Sequence, residues 1–161
     1  MQQNFLSPIG FRFTLKRLPN VSFYVQGATV PGMSMSPTVV STPFKSIQLA
    51  GDKLQHELFS VTVRLDEYMD SYNEIFDWMV KLTKNESYDQ YRQLKQSDDG
   101  VYSDASLIIL DSRGNPSLEV TFKDVFPVSL GTINFDTTQT DVNYVTCEIT
   151  FEHNGHVVKK L

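Results

Sequence analysis

The chain has 161 residues, room for one domain with a real core and little for a second. Its formal charge is −5, with 14 Lys and Arg against 19 Asp and Glu. That balance argues against tight nucleic-acid binding, which needs cations clustered against phosphates. Eleven Phe and seven Tyr suit sheets better than helices.

The first residues, Met1 to Phe11, carry neither a basic n-region nor an apolar h-region. No apolar run approaches the roughly 20 residues of a membrane span, which predicts a soluble chain that acts or assembles in a cytoplasm. From about Ile9 to Leu18 the pattern alternates, with Phe11, Phe13 and Leu15 on one face and Arg12, Thr14 and Lys16 on the other. Pro19-Asn20 signals a turn and Val21 to Gln26 a second strand, so the opening is expected to be a hairpin that Pro31-Gly32 ends. The following stretch is extended and broken by Pro37 and Pro43, which cannot donate to a ladder. It is expected to be an edge or a protruding arm over residues 37–55, turning at Gly51-Asp52.

Alternation returns from His56 to Asp66, with Phe59, Val61, Val63 and Leu65 against Ser60, Thr62, Arg64 and Asp66. Tyr72, Ile75, Phe76, Met79, Val80 and Thr83 then follow a helical period, widened by Trp78 and Leu82. The spacing predicts one helix over residues 71–82, with Asp70 or Ser71 as N-cap and Glu74 completing a capping box. Residues 84–103 read as a polar loop with an Asp98-Asp99-Gly100 turn and at most a weak helical turn around Gln90 to Leu94. Strands follow at Ala105–Asp111 and around Leu118, Val120 and Phe122, joined by an Arg113-Gly114-Asn115-Pro116 turn.

The run from Phe122 to Phe151 is the most regular of all and reads as two strands with a polar link. Val145, Cys147, Ile149 and Phe151 share one face, and Tyr144, Thr146, Glu148, Thr150 and Glu152 the other. Some eight strands with one helix make a mainly β fold, a β-barrel or two-sheet sandwich. The helix must cover an open end or face of the sheet.

No catalytic constellation emerges. Cys147 is the only cysteine and falls on an apolar face, as a small buried hydrophobe does. Gly32-Met33-Ser34-Met35-Ser36 lacks the second glycine of a nucleophile elbow. Asp66-Glu67 stands where acidic residues complement a helix dipole. Asp98, Asp99 and Asp104 lack the alternation and closing glutamate of a calcium loop. Asn20-Val21-Ser22 and Asn85-Glu86-Ser87 match a glycosylation sequon that has no secretory signal to give it meaning. His153 and His156 are close enough in sequence to share a metal. They flank Asn154-Gly155, however, a hairpin-type turn signal, and no cysteine or acidic cluster completes a set. The residues therefore name no catalytic group, no cofactor and no metal.

Several pieces in fixed order carry a resemblance: Ala28-Thr29-Val30-Pro31-Gly32 after the second strand, the arm to Ala50-Gly51-Asp52, the strand Phe59–Leu65, Asp66-Glu67 with an aromatic helix ending near Trp78, and Phe126-Pro127-Val128-Ser129-Leu130-Gly131 with the strand ending at Thr150-Phe151. Over roughly residues 5–152 this set resembles the inner tail tube protein of contractile-tailed bacteriophages. That family includes baseplate tube initiators and is similar in fold to the type VI secretion inner tube. The pattern does not extend to residues 84–103 or to the histidine-bearing end.

The resemblance implies a virion tail protein: a homo-hexamer ring that stacks into a hollow tube, with tail sheath, baseplate initiator and tail terminator as partners. DNA would be a transiting cargo, and assembly would take place in the host cytoplasm. A ring of six at −5 each carries about −30, which keeps DNA from adhering. Within that picture Thr62, Arg64, Thr146, Glu148, Thr150 and Glu152 are candidates for the lumen. Pro43, Phe44, Ile47, Leu49, Gly51 and Asp52 are candidates for inter-subunit arm contacts. The alternatives are a baseplate tube initiator, a small-ligand carrier on a closed barrel, which would need a large apolar cavity, and an enzyme, for which no nucleophile or base pair stands out.

Overall fold

The computed structural model describes residues 5–83, 88–97, 100–138 and 143–161. The expected Asp98-Asp99 turn, the Asn85 sequon and part of the polar link before Tyr144 lie outside the described residues.

Alternating sequence becomes a two-layered sheet. One layer orders β1 (Phe11–Leu15), β8 (Ser103–Leu110), β9 (Pro116–Leu130) and β11 (His156–Lys160), all antiparallel neighbours. The other orders β9, β10 (Thr146–Glu152), β7 (Phe59–Arg64) and β2 (Val25–Ala28). At 15 residues β9 is long enough to serve both layers, pairing β8 and β11 up to Val125 and β10 from Phe126 onward. Among the described residues β1 and β2, the two ends of this path, do not pair with each other. The expected choice between barrel and sandwich thus falls to the sandwich.

The core lies between the layers. Phe59, Val61 and Val63 of β7 stand opposite Phe151, Ile149 and Cys147 of β10, and all six are buried. From the facing layer come Phe13, Leu15, Ala105, Leu107, Val120 and Phe122. Phe59 stacks on Phe122 at 4.4 Å and on Phe151 at 5.3 Å between centroids. Each such side chain contributes about 1.5–3 kcal/mol through area removed from water.

Three local expectations are corrected. The opening is not a hairpin. Proline at the first position of a helix loses no hydrogen bond, and Pro19–Phe23 forms a short helix, α1. The Leu15 amide donates to Ser22 Oγ at 2.8 Å, which folds α1 back on β1. The chain leaves α1 into the opposite layer, where β2 pairs β7. Second, Asn154-Gly155 is not a hairpin turn. β10 and β11 both run antiparallel to β9, so this dipeptide interrupts one course along that strand. Gly155 has φ of 144°, which side chains rarely adopt. The Lys123 amide donates to the Gly155 carbonyl and the Asn154 amide to the Lys123 carbonyl, while Asp124 opposite takes a φ of 53°. Third, the polar loop contains a helix, α3 (Tyr88–Gln96), held by one buried residue, Leu94. A single anchor on a polar surface leaves almost no periodic signal.

The predicted helix is present as α2 (Asp70–Thr83), rotated from the face its sequence suggested. Ser71, Ile75 and Trp78 are buried, Trp78 to 2% exposure, while Phe76 is 50% exposed. Trp78 Nε1 donates to the Val101 carbonyl at 3.3 Å, and the Arg17 guanidinium lies over its ring at 5.1 Å. The start of α2 is held by Asp66, whose Oδ1 accepts from the Asp70 amide at 3.0 Å. No capping box forms: Ser71 is inside the first turn, and Glu74 accepts from Asn20 Nδ2 at 2.6 Å. Among the described residues no helix is long and apolar enough to cross a membrane.

Candidate functional site

Burying one face of β7 and β10 fixes the opposite face as a hydroxyl-rich surface. Register places Thr62 against Glu148, Arg64 against Thr146, and Ser60 against Thr150. Thr150 is also paired with Ser129 of β9, and Glu152 with Phe126. The six sequence candidates Thr62, Arg64, Thr146, Glu148, Thr150 and Glu152 are therefore brought onto one outer face of one layer. Arg64 lies over the Tyr144 ring at 4.5 Å. With its amide oxygen turned toward Arg64, Gln26 accepts from Nε at 2.9 Å and Nη2 at 2.5 Å. Both of these partners are neutral.

The arm is a separate hairpin. β3 (Met33–Met35) pairs β6 (Leu54–His56), and β4 (Thr38–Ser41) pairs β5 (Ser46–Leu49), each ladder forming its own two-stranded sheet. The tip is not at Gly51-Asp52 but at Thr42 to Lys45, where the Thr42 amide donates to the Lys45 carbonyl at 3.1 Å. Gly51 lies in the link between β5 and β6, where a Cβ would collide with the Ser36 carbonyl oxygen. Close approach of the two segments is the reason for that glycine. Met33, Met35, Val39, Val40, Phe44, Ile47, Leu49 and Leu54 are all exposed, Phe44 to 99%. Exposed apolar side chains on a hairpin offer a surface that a second chain can cover.

A third surface was not foreseen. Tyr72 and Phe76, stacked at 6.5 Å, line a groove with Met79, Val80 and Thr83 of α2 and Val128, Ser129 and Leu130 of β9. The helical period contains the α2 residues of this groove, as part of the stripe expected to cover the sheet.

The residues weighed for chemistry have structural roles. Cys147 is buried, its thiol donates to the Gly131 carbonyl at 3.4 Å, and burial pushes its pKa up, away from thiolate reactivity. Asp66 caps α2. His153 and His156, read as turn flanks, are joined by His56 from the end of β6, so that one ring nitrogen of each lies within 4.8 Å of the others. Burial first, and then the neighbouring imidazoles, lower the pKa of His153; burial and His56 lower that of His156. Sequence spacing could not bring His56 to this place, because nearly a hundred residues separate it from His153 and His156.

No protein-family model matches the chain, and no curated protein matches it. Solved structures do. A chain of the PVC extracellular contractile injection system, from its sheath–tube complex in the extended state, is similar with a TM-score of 0.69 at 14% identity, over 99% of this chain and 95% of that one. A chain of the PVC sheath/tube terminator gives 0.70 at 14% identity, over 99% of both chains. Hcp1 from Flavobacterium johnsoniae gives 0.53 at 13% identity, over 98% of both. The fold is therefore the one found in contractile injection complexes and in an Hcp protein, as the resemblance implied.

Proposed function

We propose that this protein is a structural tube subunit, without enzymatic activity, that forms stacked hexameric rings in a contractile tail and leaves a channel through which DNA passes. The observation that carries this reading is the arm: an exposed apolar hairpin that, among the described residues, pairs with neither layer, on a fold shared with tube-complex chains. In the ring the arm packs on an adjacent subunit, and the hydroxyl-rich face of β7 and β10 turns to the lumen. Glu148 and Glu152 there repel passing phosphates. A tail sheath and a tail terminator are the outer and end partners, by likeness to the PVC sheath–tube and terminator complexes.

A second reading is an injection tube that carries protein cargo, favoured by the extracellular injection system among the similar structures. The acidic, hydroxyl-lined face speaks for a polyanionic cargo instead. Negative-stain microscopy of the purified full chain tests the class: six-fold rings or hollow tubes are expected. A species that stays monomeric at every concentration contradicts the proposal.

A further inference from the structure

His56, His153 and His156 form a cluster that neither the core nor the tube reading uses. Their ring centroids make a nearly equilateral triangle with sides of 5.4, 5.3 and 5.5 Å. Nε2 of His153 stands 3.2 Å from Nδ1 of His156. Two imidazole nitrogens bound to one tetrahedral zinc ion stand about 3.3 Å apart, given bonds of about 2.0–2.1 Å. One edge of a ligand set is thus already at the length a metal requires. The other edges, within 4.8 Å, close with a shift of at most about 1.5 Å, which a small side-chain rotation supplies.

Packing alone does not account for the cluster. His153 is 3% exposed and meets the rings of Phe59 and Phe122 edge-on at 5.7 and 5.4 Å. A leucine or phenylalanine would fill that place without a buried polar nitrogen. Nδ1 of His56 is buried without a hydrogen-bond partner, and so is Nδ1 of His153, which lies across the ring from the Nε2 that faces His156. The orphaned His56 nitrogen costs stability unless something binds it.

We propose that His56, His153 and His156 bind a divalent transition-metal ion, zinc in the first instance, which ties the returning strand of the arm to the β10–β11 junction. The set holds only imidazole, which suits zinc, copper or nickel and not calcium or magnesium, whose ligands are oxygens. His56 and His156 are partly open to solvent, which leaves the fourth position to water. Gly155 permits the sharp course that brings His153 and His156 to one ion. The metal fixes the angle at which the arm leaves the body, because His56 is the last residue of β6.

The test is calorimetric titration of the chelator-treated full chain with zinc, paired with cobalt(II) absorption as a readout of tetrahedral coordination. One equivalent per chain is expected, with a rise in melting temperature and cobalt ligand-field bands. H56Q and H156Q alter the partly exposed ligands, and each should weaken binding by more than about tenfold while the far-ultraviolet circular dichroism stays unchanged. H153Q, at the buried position, is a secondary variant. Absence of saturable binding overturns the site, as does binding that H56Q and H156Q leave unaltered. The titration reads metal binding in whatever oligomeric state the chain adopts, so its failure is separate from failure of the tube proposal.

Discussion

The β7–β10 ladder and the arm start from similar material, short antiparallel strands mixing aliphatic side chains with serine and threonine. In the ladder every second residue is buried, and Phe59, Val61, Val63, Cys147, Ile149 and Phe151 meet a second layer. In the arm β3, β4 and β5 are exposed at every position, and aliphatic residues lie against water. Alternation decides which residues share a face, and only a second layer decides whether that face is buried. The ladder finds its layer within the chain. The arm meets no such layer among the described residues, and in the proposed tube that difference separates what folds the subunit from what assembles it.

Removing the arm tests this division most severely. Deletion of Thr42 to Leu49 should abolish rings and tubes altogether while changing subunit stability by only about 0.5 kcal/mol, since none of these side chains is in the core. Electron microscopy and a melting curve on the same sample read both effects. Tubes of normal length from the deleted protein would place assembly elsewhere.

Trp78→Ala should act in the opposite sense. Losing a buried aromatic, together with its bond to Val101 and the Arg17 contact, should cost about 3–5 kcal/mol of subunit stability. Denaturant unfolding measures it, and an unchanged midpoint combined with lost assembly would make Trp78 an interface residue. Phe76, two positions away, sharpens the contrast. Phe76→Ser should cost only about 1 kcal/mol of unfolding free energy, because the ring is half exposed in the α2–β9 groove.

The smallest effect is expected on the hydroxyl-rich face. Replacing Glu148 and Glu152 by lysine should permit assembly, with DNA then retained at low salt and released at high salt. Retention by assembled variant tubes, compared with the parent at both salts, is the measurement. No difference would mean that this face does not line the channel.

Sheet content, the inward and outward faces of β1, β7 and β10, and the separateness of the arm were legible because each rests on period-two alternation or on proline. Less was legible where a residue far away decides the outcome. The face α2 buries could not be chosen, because Phe76 and Trp78 are both aromatic and both lie on the wide stripe. The partner of β2 could not be seen, because α1 redirects the chain after Pro19. The arm tip was misplaced at Gly51, whose glycine serves close approach to Ser36 rather than a turn. The third histidine was out of reach for the same reason: the arm's return strand brings His56 beside two residues nearly a hundred positions later.

Hydrogen exchange of the full chain, free and assembled, tests the central claim most directly. Amides of residues 38–49 should exchange quickly in the free subunit and slow markedly on assembly, while those of β7 and β10 remain protected in both states. Assembled protein whose arm amides exchange as fast as in the free chain would contradict the account.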